Sequence, residues 1–136
     1  DPKVSKSKLK ELIKSHDKII MMGHGTPDGL IATDRFIIDS KYIYLLKDKI
    51  CVCVWCHADE FFHKYKLKGY ATGMVVSEVD EAQDYGVPCT YEDIFESNHL
   101  LAKSLKTALY TDDVRTSLLD LYDGDSHVIF FNKGNL

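Results

Sequence analysis

The chain of 136 residues carries 17 Lys and Arg against 21 Asp and Glu, a formal charge of -4, with 45% hydrophobic and 28% charged residues. That length supports one domain, residues 1–136, with a real core, and the charge balance lacks the basic footprint of a nucleic-acid binder. No apolar run approaches the length of a membrane span.

Residues 5–16 read as an amphipathic helix, with Leu9, Leu12 and Ile13 on one face and lysines around them. A short apolar strand follows at 18–22. Residues 23–29 hold three glycines and a proline, which predicts a tightly turned loop, with His24 its one side chain able to do acid-base work near neutral pH. A glycine-rich loop after a strand also raises phosphate binding, but the Walker lysine and the Rossmann spacing are missing. Two apolar pieces, 30–32 and 36–38, predict a small hairpin, and Ser40 is a candidate cap for a helix over 41–47.

Residues 49–55 form the central strand of this reading: Ile50, Cys51, Val52, Cys53, Val54 and Trp55 are apolar without a break, as in a strand buried on both faces. Beyond Cys56 the pattern changes to a helix over 57–68 with Gly69 as its stop. Cys56 thus falls where a strand hands over to a helix, at the sheet edge that carries sites in open α/β folds and near the positive end of a helix dipole. A thiol there is biased toward thiolate.

A further strand is expected over 70–76, a short acidic helix over 79–85 closed by Gly86, and a long helix over 90–110. Thr111 is the expected cap of a helix reaching Tyr122, and 127–131 the terminal strand. His16, His63, His99 and His127 read as surface or capping residues. Ser77-Glu78 reads equally as a site element or a helix cap.

Four cysteines stand at 51, 53, 56 and 89. Three crowd one strand end where side chains alternate between faces, which disfavours a disulfide framework and points to reduced thiols in a cytoplasmic-type protein. Cys51 and Cys53 read as buried and inert. The chain begins with Asp rather than Met, so a native start and any targeting signal fall outside what it can show. Cys53 to His57 matches C-x-x-C-H, the haem-attachment pattern, but the β-branched run argues for a strand there. Zinc held by Cys56, His57 and His24 would need a fourth ligand that no second C-x-x-C supplies. No cofactor or metal is expected.

If the strands before His24 and Cys56 are parallel neighbours, both residues emerge at one carboxyl edge about one strand spacing apart. Imidazole and thiol then form a natural dyad for acyl transfer, with the backbone N–H groups of Gly25 and Cys56 as oxyanion donors. A strand ending in His24-Gly25, a crossover, and an apolar strand ending in Cys56, 32 positions on, resembles the caspase-like cysteine peptidases, closest in flavour to CHAT domains around His24 to Leu30.

The resemblance covers residues 18–77 and implies a three-layer α/β sandwich with a mainly parallel sheet, a Cys56 nucleophile, a His24 acid-base partner and a protein or peptide substrate. Asp28, Glu60, Glu78 and Asp80 are candidates for a pocket accepting a basic side chain. This chain is shorter than most such peptidases and starts directly with a helix, leaving the family's first strand unaccounted for. Trp55 stands before the nucleophile where small residues are common. The alternative is a non-catalytic caspase-like module that binds protein partners.

Overall fold

A computed structural model of the chain describes residues 4–33 and 35–136. These divide into two compact units, one ending at Gly73 and one running from Met74 to Leu136. The predicted α/β class holds at that level, with seven helices, a small parallel sheet and a separate antiparallel sheet. Among the described residues no helix is long and apolar enough to cross a membrane.

The first unit opens with α1, Lys6–Lys14, whose cap Ser5 accepts a hydrogen bond from the Lys8 amide at 3.1 Å. At its other end the His16 ring reaches the Leu12 carbonyl, 2.7 Å away. β1, Lys18–Met22, then enters the parallel sheet beside β5, Ile50–Val54, which pairs on its far side with β6, Lys68–Ala71. β5 is central, and the uninterrupted apolar run follows from that place: Cys51, Val52, Cys53 and Val54 are all buried. Ile13, Met21, Leu46, Cys51, Cys53, Trp55 and Phe61 belong to one core cluster.

Residues 23–29 are more ordered than a loop. His24–Thr26 forms β2, which turns through Pro27 and Asp28 into β3, Gly29–Ala32. β3 pairs in turn with β4, Arg35–Ile38, which is the predicted hairpin; together they make a three-stranded antiparallel meander. Asp34 lies outside the described residues. The cap expected at Ser40 belongs to Asp39, whose carboxylate accepts from the Lys41 amide and opens a 3-10 turn leading into α2, Ile43–Leu46.

The helix after Cys56 is shorter than the sequence implies. α3 spans Ala58–Lys64 and ends on Lys66 in the left-handed region (φ 54°), with the Leu67 amide bonded to the Phe62 carbonyl and the Lys66 amide to that of His63. That double bond is the Schellman closure, made here without glycine. Gly69 therefore is no helix stop. It lies inside β6, which starts two residues before the expected strand and ends at Ala71.

The second unit is helical: α4, Val79–Asp84; α5, Tyr91–Ala108; α6, Val114–Leu121; α7, His127–Lys133. Thr90 and Asp93 form a reciprocal capping box on α5, and Gly86 follows α4 at φ 66°. Asp113, rather than Thr111, caps α6: its carboxylate accepts from the Thr116 amide and hydroxyl, which holds it below the usual carboxylate range.

The terminal strand expected over 127–131 is a helix. Ser126 caps it, and Val128, Ile129, Asn132 and Leu136 are buried at helical spacings while Phe130 is 82% exposed, which no alternating strand would give. Asn132 explains the polar position on that face. Its side chain accepts from the Val76 amide at 2.7 Å and donates to the Val76 carbonyl at 3.0 Å, pairing an irregular segment as a neighbouring strand would. The Tyr122 hydroxyl, bonded to Ser97 at 2.6 Å, takes a second Asn132 proton.

Candidate active site

The site is built from the carboxyl ends of two strands. β1 and β5 run parallel with Met22 opposite Val54, and the Gly23 amide bonds to the Val54 carbonyl at 3.1 Å, extending the ladder one residue. His24 and Cys56 each follow the last paired residue by two positions. The strands that precede them are parallel neighbours. His24 is exposed at the start of β2, and Cys56 is half-buried in the turn before α3.

Trp55 ties the two strand ends together, a role the sequence does not disclose. Its indole N–H donates to the Thr26 carbonyl at 2.9 Å, its ring meets Phe61 edge-on at 5.5 Å, and it is 2% exposed. Gly25 lies against the same ring: a Cβ there would overlap Trp55 Cδ1 and the Gly29 carbonyl oxygen. The residue before Cys56 is thus packed on the two residues after His24. Glycine at 25 leaves the room that the Trp55 ring occupies.

The turn carrying Cys56 is fastened from the other side as well. The amides of His57 and Asp59 bond to the Gly73 and Thr72 carbonyls, and the Thr72 hydroxyl donates to the Trp55 carbonyl at 3.1 Å. The Ala58 amide bonds to the Trp55 carbonyl, and that of Glu60 to the Asp59 carboxylate. These amides at the start of α3 are engaged, and Asp59 and Glu60 offset the dipole of a seven-residue helix.

His57, next to Cys56, holds a left-handed conformation (φ 63°) and pairs through Nδ1 with Glu60 at 3.3 Å. The sequence pattern marks this residue only as a possible metal ligand. The His24 imidazole makes no hydrogen bond or ion pair to another described residue. Catalytic hydrogen bonds are commonly loose in a free enzyme and tighten on substrate.

Among the pocket candidates, Asp28 is exposed on the β2–β3 turn, with its amide bonded to the Thr26 hydroxyl, and Glu60 is engaged with His57. Glu78 is exposed before α4 and belongs to the second unit. Ser77 donates through both its amide and its hydroxyl to Glu81, so it serves a helix start. Among the described residues no group of three or more His, Cys, Asp or Glu is placed to hold a metal ion. Cys53 points into the core at 0% exposure, so the C-x-x-C-H pattern lies on a strand end with its first sulfur enclosed.

Burial pushes the Cys51 thiol up to about 11 and, with Cys51 adding to the effect, that of Cys53 up to about 12. Both remain protonated at neutral pH. Between the ordinary thiol value near 8.5 and these raised values the unfolded chain ionises and the folded one does not, so stability is intact at neutral pH and falls above about pH 8.5. The slope per thiol is at most about 1.4 kcal/mol per pH unit. Urea unfolding at pH 8 and pH 10.5 should show this loss, and Cys51→Ala/Cys53→Ala should fall less steeply; equal slopes would remove the thiols as its source.

Set beside known proteins, the chain matches no family model, and no significant similarity to a curated protein or to a solved structure emerged. The class rests on its own geometry: a parallel α/β unit with an antiparallel meander inserted after its first strand.

Proposed function

We propose that this chain is a cysteine hydrolase of the acyl-transfer type, a minimal relative of the caspase-like peptidases acting on a peptide or protein amide in a reducing, cytoplasmic-type setting. One observation supports the reading: β1 and β5 are parallel neighbours with Met22 opposite Val54, and His24 and Cys56 each stand two residues further along the chain. None of the four cysteines is held in a disulfide.

In this reading the His24 imidazole accepts the Cys56 thiol proton and the sulfur attacks the substrate carbonyl carbon. The oxyanion lies toward the Gly25 and Cys56 amides. The imidazolium then gives its proton to the departing amine, leaving a thioester that water hydrolyses with the imidazole as base.

The test is the pH dependence of alkylation by iodoacetamide, read cysteine by cysteine by peptide mass spectrometry. Cys56 should react fastest of the four, with a midpoint at least about 1 unit below the ordinary value near 8.5, and His24→Ala should return it to that value. A Cys56 that is inert, or indifferent to His24, overturns the hydrolase and leaves the non-catalytic binding module.

A further inference from the structure

A second site lies in the first unit between α1 and the outer strand of the meander. There a cleft of about 260 Å³ has Leu9 and Leu12 on the helix side and Phe36 and Ile37 on the β4 side. Leu12 is 38% exposed and Phe36 42%, so two large apolar side chains at the same cleft remain wet. Exposed apolar surface concentrated at one concave place marks a binding site more often than chance.

Lys6 and Arg35 line the same cleft, one from each wall. Neither makes an ion pair with a described residue, whereas Lys8, on the same helix, is taken by Glu11 at 3.6 Å. The helix adds Lys10 and Lys14, with Glu11 its one acid. An apolar trough entered between two cations suits a ligand with an apolar body and one negative end. The volume falls just under the usual range for drug-sized ligands, about 300–1,000 Å³.

We infer that this cleft binds a free medium-chain carboxylate, its chain along Leu9, Leu12, Phe36 and Ile37 and its carboxylate between Lys6 and Arg35. The site is independent of Cys56 and His24, so it stands or falls apart from the hydrolase reading.

The test uses the whole chain labelled with nitrogen-15, titrated with sodium decanoate and separately with decanol and decyltrimethylammonium. Decanoate should cause saturable amide shifts confined to α1 and β4, and bind more tightly than either of the others. In Lys6→Gln/Arg35→Gln decanoate affinity should fall about tenfold, the order expected for two exposed ion pairs, while that of decanol stays put. The spectra of the double variant report its fold directly, and Cys56 alkylation should be unchanged by decanoate.

Shifts scattered over both units, equal affinity for the three amphiphiles, or an unaltered decanoate affinity in the double variant would each overturn the inference. Co-sedimentation with phosphatidylglycerol vesicles, without saturable decanoate binding, would overturn it too, assigning the lysines of α1 to a lipid surface.

Discussion

Replacing Trp55 with alanine should lower the unfolding free energy by about 3–5 kcal/mol, the usual range for emptying a large aromatic site. Three losses combine: the buried ring, its edge-on contact with Phe61, and the indole hydrogen bond to the Thr26 carbonyl. Trp55→Phe isolates the last of these, keeping most of the ring but stranding the Thr26 carbonyl, at about 1–2 kcal/mol. Urea unfolding followed by circular dichroism suits the comparison, since Trp55 is the sole tryptophan.

The phenylalanine variant also bears on function. Trp55, the residue before Cys56, packs on Gly25 and Thr26 after His24, so a folded Trp55→Phe protein should lose part of any His24-dependent acceleration of Cys56 alkylation. If Trp55→Ala unfolds within about 1 kcal/mol of the wild type, the indole is not the tie that its contacts describe.

The second large effect is expected at Gly69. It stands opposite Cys51 in the β5–β6 pair at φ 131°, and an added Cβ would overlap the Cys51 carbonyl oxygen. Backbone strain and a clash with backbone add here, and neither relaxes without moving β6 off the central strand. Gly69→Ala should cost about 3 kcal/mol or more. Gly86→Ala is the control: φ is again positive, at 66°, but no heavy atom lies within 4 Å of the new Cβ. Only the left-handed penalty of about 1–2 kcal/mol remains there. Equal losses in the two variants would show that conformation alone, and not the closeness of β5, requires glycine at 69.

Elements legible in the sequence are those written in short-range chemistry. Gly86 after an acidic turn marks a helix end that the structure shows, and the helices read as beginning at Ser5 and Thr90 have those residues as their caps. The hairpin between Leu30 and Ile38 was legible from two apolar pieces. The unbroken run from Ile50 to Trp55 announced a strand buried on both faces, and β5 is central.

Misreadings came where one residue type serves two purposes. Gly69 resembles a helix stop, but Lys66 closes α3 in the left-handed region and the glycine is needed for close strand approach. Gly25 reads as part of a tightly turned loop and lies in β2 with the Trp55 ring against it. Val128 to Phe131 has strand composition, yet Ser126 starts a helix whose buried face continues through Ile129 to Asn132. Four apolar residues are too few to separate a period of 2 from one of 3.6.

Taken alone, the sequence determined which residues have the chemistry for a site, His24 and Cys56, and that each follows an apolar strand, because side-chain type and hydrophobic period are local properties. Tertiary structure alone decided that those strands are parallel neighbours in matching register, that Trp55 clamps their ends, that the amides opening α3 are engaged, and that a cleft opens between Lys6 and Arg35. Each of these is a meeting of segments distant in the chain. Such meetings are set by packing volume and backbone hydrogen bonding across the fold, which no short stretch of sequence encodes.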